Sequence, residues 1–146
     1  MKNTEHDKGY EAYIFSISEQ VAQHLSGLSE LSESIQQRPL TFNERSAVER
    51  NLQVLVEAAI GSSKHYLKKQ NKPVPAEARA NIERVYELLG ITAPDINDMR
   101  GAIGMRNAII HDYLNLDWRK IEPILKEKKY QLIADYIDKV TGALRG

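Results

Sequence analysis

One stretch of the 146-residue chain gathers an unusual share of its reactive side chains: Met105-Arg106-Asn107-Ala108-Ile109-Ile110-His111-Asp112-Tyr113. Arg106 offers a permanent, forked cation of the kind that suits a phosphodiester. His111 offers the one side chain that both takes and gives a proton near neutral pH. Those two groups suffice for metal-free cleavage of RNA. A base deprotonates the ribose 2′-hydroxyl, the oxygen attacks the adjacent phosphorus, and a guanidinium stabilises the charge that grows on the phosphoryl oxygens. A structural reading stands beside the chemical one: Arg and His in the last turn of a helix favour the negative end of its dipole, and Tyr113 caps the core. Geometry sets a condition. On a straight helix, residues five apart differ by roughly 140° in azimuth and about 7.5 Å in rise. Arg106 and His111 then converge only if the helix ends near His111 or a second subunit supplies partners. Arg106 and Tyr113, seven apart, share a face if the helix continues.

Other chemistries find less support. His6, His24, His65 and His111 form no HExxH or Cys/His ligand pattern, so no metal site is expected. Gly61-Ser62-Ser63-Lys64 lacks the first glycine of a phosphate-binding loop and falls inside a helical pattern. The chain has no cysteine, which rules out disulfides and a thiol nucleophile and fits a reducing compartment. Twenty basic residues balance twenty acidic ones, so any attraction to nucleic acid must come from a local patch. Lys64, Lys68, Lys69 and Lys72 with His65 form such a patch, with no acid between 61 and 72. Lys64 and Lys68, one turn apart, could hold RNA phosphates or simply form a solvated helix end. Arg119, Lys120, Lys126, Lys128 and Lys129 are diluted by acids and read as surface. Glu57 interrupts an apolar run, so it is expected to be paired, with Arg106 as the partner, or to line a polar cleft. Trp118, Tyr130 and Tyr136 sit at helical spacings that suit a core as well as base stacking. His65 reads as surface, and neither His6 nor His24 is given a role.

The elements that must position these groups follow from the apolar spacing. A stripe from Tyr10 through Ile14, Ile17, Val21, Leu25, Leu28 and Leu31 to Ile35 predicts a helix over about 8–36, closed by Pro39. Thr41-Phe42-Asn43-Glu44 reads as a capping box that opens a second helix to about Lys69. After the Asn71–Pro75 breaker, a third helix starts near Ala76 and stops at Gly90, where a left-handed cap fits. Pro94, placed in the first turn, and Asp95 open a fourth. A turn at Asn115–Asp117 precedes a last helical pattern from Ile121 to Leu144. No segment alternates like a strand. The expected architecture is all-α, an antiparallel bundle of four to five helices in one domain over 1–146, with 1–7 as a disordered tail. The N-terminal residues lack the apolar core of a secretory signal, and the run Val54–Ile60 is too short for a bilayer, so a cytoplasmic protein without membrane contact is expected.

The Arg106-x4-His111-x-Tyr113 arrangement resembles the signature of the HEPN superfamily. It is closer still to the HEPN toxins paired with minimal nucleotidyltransferase (MNT) antitoxins. Glu49-Arg50-Asn51-Leu52-Gln53 and Glu57-Ala58-Ala59-Ile60 are similar to that family's second helix, and the likeness spans about residues 41–140. What the resemblance implies is an enzyme: a metal-independent endoribonuclease toxin of a type VII-like toxin–antitoxin pair, acting on mRNA or tRNA as a homodimer with its two Arg/His sets facing across a cleft. Arg106 and His111 would carry cleavage, Asn107 and Asp112 would orient them, and Tyr113 would receive AMP from the partner nucleotidyltransferase. The added phosphates would then repel the substrate. No cofactor is expected on this chain, since ATP and Mg²⁺ would belong to the partner. The alternative within the same superfamily is an inactive subunit that presents substrate to a nucleotidyltransferase.

Overall fold

The computed structural model describes the backbone from Thr4 to Gly146 and the side chains from Gly9 onward. Helix α1 (Thr4–Gln37) buries Ile14, Ile17, Val21, Leu28 and Ile35, which recur every three, four or seven residues and so lie on one face. It begins earlier than the spacing predicts: Thr4 to Asp7 are helical, not tail, and residues 1–3 lie outside the described residues. The helix stops two residues before Pro39.

Helix α2 (Phe42–Lys69) opens on the expected capping box. Thr41 Oγ1 accepts from the Glu44 amide at 3.2 Å, and Glu44 Oε1 accepts from the Thr41 amide at 2.8 Å. Arg38 grips the same carboxylate with two bonds of 2.7 and 2.9 Å. That guanidinium, helped by the Thr41 amide, holds the Glu44 carboxyl down to about 2. Helix α2 packs against α1, α3, α4 and α6, so it runs through the middle of the bundle. Val48, Leu52, Leu55, Val56, Ala59 and Leu67 on it are almost wholly inaccessible to water. Each buried side chain of this kind contributes about 1.5–3 kcal/mol.

Helix α3 (Ala78–Leu89) ends at Gly90, whose φ of 63° is the left-handed cap expected there. Helix α4 (Ile96–His111) is capped by Asp95, which accepts from the Asn97 amide at 2.8 Å. Pro94 therefore precedes the cap and does not sit in the first turn. It is held there by Tyr86, whose hydroxyl donates to its carbonyl at 2.8 Å.

A three-residue 3₁₀ turn (Tyr113–Asn115) leads to α5 (Trp118–Lys126) and α6 (Tyr130–Arg145). The last expected helix is thus two helices. The break falls at Lys128, which takes a left-handed φ of 55°. Ile121 and Leu125 on α5 and Ile133, Ile137, Val140 and Leu144 on α6 still feed the same core. Among the described residues there is no strand, and the expected all-α bundle is what the chain forms. One buried polar pair of the core is fully bonded. The Ser63 hydroxyl donates to the Ala59 carbonyl at 2.7 Å, which leaves Tyr136 to donate to Ser63 at 2.6 Å.

Candidate active site

The Arg–His segment lies at the end of α4, which turns Met99, Ala102, Ile103 and Ile109 inward. The outer side carries Gly101, Gly104, Asn107, Ile110 and His111, all exposed. The helix ends at His111 because Asp112, at φ −137° and ψ 40°, has left helical geometry. Asp112 is busy with the turn: its carboxylate accepts from Asn115 Nδ2 at 2.8 Å, and its carbonyl accepts from the Asn115 amide at 3.0 Å.

Arg106 is half-buried and makes a single side-chain hydrogen bond, from Nη1 to Asn107 Oδ1 at 2.8 Å. Its Nε is shielded from water and has no partner. Among the described residues no carboxylate pairs with it, so its charge stands uncompensated there beside an exposed histidine. No hydrogen bond joins Arg106 to His111, in keeping with their separation around the helix.

Glu57 does not pair with Arg106. It accepts from Gln53 at 3.2 Å and borders a cleft between α1 and α2 with Tyr13 and Gln20. One helical turn is the natural reach of that pair, and it leaves the guanidinium without a counter-ion.

Tyr113 does not continue the face of Arg106, because the helix has stopped. It opens the 3₁₀ turn, half-exposed, and is followed by Leu114 at 97% exposure. Its phenol interacts with the carboxylate of Glu49, a residue of α2 to which the sequence assigned no role beyond its likeness to the HEPN second helix. Glu49 is 8% exposed, and its Oε1 is shielded and unpartnered. Burial pushes its pKa up, against the opposing pull of Tyr113 and Arg45. The signal was available: Glu49 stands three before Leu52 and seven before Val56, on the buried stripe itself.

Lys64 and Lys68 are exposed, but they lie toward the other end of α2. Fifteen residues of helix put Lys64 about 22 Å along the axis from Glu49. Nearby His65 is half-buried, not a surface residue. It packs on Tyr13 with ring centroids 3.9 Å apart, and burial together with Lys68 lowers its pKa. Tyr130 and Tyr136 are core, whereas Trp118 is half-exposed under the Arg45 guanidinium, 5.4 Å from its ring centroid. Among the described residues no three His, Asp or Glu side chains come together as a metal site would need.

Comparison with known proteins extends these observations. The ribonuclease HepT-like family matches residues 18–140. An mRNA nuclease HepT of Shewanella oneidensis is 32% identical over 78 residues, which make up 52% of this chain and 59% of that relative's length. A tri-AMPylated HEPN toxin of Shewanella oneidensis, solved in complex with an MNT antitoxin, superposes with a TM-score of 0.74 at 20% identity. The match covers 88% of this chain and 96% of that one. A toxin–antitoxin structure with AMP-PNP gives a TM-score of 0.73 at 19% identity, covering 87% and 96%. At such identities these structural matches speak to the fold.

Proposed function

The chain belongs to the ribonuclease HepT-like family, and on that premise we propose that it is an endoribonuclease toxin that cuts RNA without a metal through Arg106 and His111. The observation that carries this reading is the uncompensated Arg106 guanidinium, half-buried and steadied by Asn107, on the same helix end as an exposed His111. In the cut, His111 takes the proton of a ribose 2′-hydroxyl, and the freed oxygen attacks phosphorus. Arg106 stabilises the phosphorane oxygens, the bond to the 5′-oxygen breaks, and that oxygen leaves with a proton from an imidazolium. The products are a 2′,3′-cyclic phosphate and a 5′-hydroxyl.

The protein works as a homodimer. Gly101 and Gly104 have open space before them on α4, and Ile110 on α4 and Leu114 in the turn after it are exposed at 38% and 97%, so this end of the helix offers a second copy close approach and apolar contact beside Asn107 and His111. The second Arg106/His111 set then supplies the groups that one helix cannot bring together. Silencing comes from an MNT-type nucleotidyltransferase that adds AMP to Tyr113, using its own ATP and Mg²⁺. Each added phosphate competes with the RNA backbone for Arg106. The matched relative is an mRNA nuclease, so mRNA is the first substrate to try, with tRNA after it.

End-labelled RNA incubated with the purified protein in excess EDTA tests this directly. Cleavage that leaves a cyclic phosphate, and that is lost in His111→Ala, is the expected result. An inactive protein whose Tyr113 carries no AMP by mass would overturn it and favour the substrate-presenting subunit.

A further inference from the structure

A cleft of about 170 Å³ lies between the start of α2 and the turn after α4, and cleavage by Arg106 and His111 leaves it without a role. Phe42, Tyr113 and Trp118 line it. Phe42 keeps 75% of its surface exposed and Tyr113 keeps 50%, so two aromatic faces stand in water on the same cleft. At the rim the Arg45 guanidinium lies 5.4 Å from the Trp118 centroid. Glu49 also lines the cleft, more than nine-tenths buried, with Oε1 unpartnered. A buried oxygen without a donor is costly in the free protein, and a ligand donor reaching the same carboxylate would relieve that cost. The cleft is smaller than the pockets that hold drug-sized ligands, so it suits one flat ring system. Flat ring walls, a carboxylate and a cation at the mouth together describe a planar group with a hydrogen-bond-donor edge, attached to an anion.

We infer that this cleft is a nucleobase site: it takes a base with an exocyclic amino group, stacks it on Phe42 and Trp118, receives the amino hydrogens at Glu49 and meets the phosphate with Arg45. A carboxylate that accepts from an exocyclic amine is a familiar mode of base recognition, and stacking on aromatic side chains tolerates any base. Selectivity therefore comes from Glu49 and adhesion from the rings. Burial raises the pKa of Glu49 against the pull of Tyr113 and Arg45. The inference rests on the ribonuclease reading only for the source of the base. That source is either the RNA strand beside the cut or the adenine of a nucleotide carried on Tyr113.

Trp118 is the chain's one tryptophan, so its fluorescence reports on the cleft directly. The unmodified full-length protein is titrated with GMP, CMP, AMP and UMP. Saturable quenching is expected with the three amino-bearing bases, and about tenfold weaker binding with UMP, as for the loss of one good base contact. Glu49→Gln should erase the discrimination against UMP. Phe42→Ala changes an exposed ring and leaves the core alone, and it should weaken every nucleotide. No saturable quenching up to millimolar nucleotide overturns the inference, as does unchanged selectivity in Glu49→Gln. Quenching by AMP alone assigns the cleft to the adenine on Tyr113. Quenching by GMP or CMP, with altered bases beside the cut in Glu49→Gln, assigns it to RNA. Binding is read without cleavage. A protein that binds but never cuts keeps this site and overturns the ribonuclease reading, and one that cuts but does not bind does the reverse.

Discussion

Arg106 Nη1 donates to Asn107 Oδ1 at 2.8 Å, a bond between neighbours on one helix, and among the described residues no carboxylate shares the guanidinium. An arginine without a counter-ion keeps its full attraction for a phosphate, and a neutral amide steadies it without cancelling that charge.

Replacing Arg106 by Ala should therefore cut the cleavage rate by about 10²–10³, the usual loss for a donor to a developing oxyanion. Arg106→Lys should recover little, because a point charge lacks the fork. Asn107→Ala should slow cleavage by about tenfold through looser positioning. Single-turnover rates on one labelled RNA check all three, and melting curves should stay within about 0.5 kcal/mol of wild type for Asn107→Ala.

The capping carboxylate predicts a pH dependence of stability. Arg38 lowers the pKa of Glu44 to about 2 in the folded state. A lowered carboxyl stabilises the fold above its unfolded pKa, and that stability is lost as pH falls through the folded value. Glu44→Gln should melt below wild type at neutral pH, and the two curves should converge between about pH 4 and pH 2. A constant gap over that range would contradict the assignment.

Glu49 has the opposite sign. Its pKa is raised by burial, so its ionisation works against folding as pH rises through the ordinary carboxylate range. Glu49→Gln should raise the melting temperature at neutral pH, which thermal unfolding at pH 7 checks. The gain should vanish in acid. A residue that improves stability when removed is one the fold keeps for another purpose.

Ser63 and Tyr136 predict an asymmetry between two conservative changes. Tyr136→Phe leaves Ser63 still bonded to the Ala59 carbonyl, so it should cost about 1 kcal/mol. Ser63→Ala strands the Tyr136 hydroxyl, which is wholly buried, and should cost about 1–3 kcal/mol. Urea denaturation of both variants checks the order.

Much of this frame was legible in the residues. Thr41 and Glu44 announced the start of α2, Gly90 the end of α3 and Ile121 to Leu144 the packed stripe, because caps and periodicity are local properties. The break between α5 and α6 was not legible. Its left-handed residue is Lys128, and a lysine carries no signal for that conformation as a glycine would. The Arg106–His111–Tyr113 spacing stood out, yet the carboxylate beside it did not. Glu57 drew attention by interrupting an apolar run, while Glu49 lay on the buried stripe and met Tyr113 only through the fold. A contact between residues 64 apart in sequence depends on how α2 crosses the end of α4, and no local pattern encodes that.

One residue separates His111 from Tyr113, and Tyr113 opens a turn closed by bonds from Asn115 and Leu116. On the proposed function, a nucleotide attached there is a leashed ligand. Its local concentration at Arg106 is set by the length of the leash, in the range where short tethers give about millimolar or more. Dilution would not release it, nor would a fall in dissolved nucleotide. Silencing would persist through cell growth and division, and only breaking the covalent bond, or synthesis of fresh chain, would restore an open site.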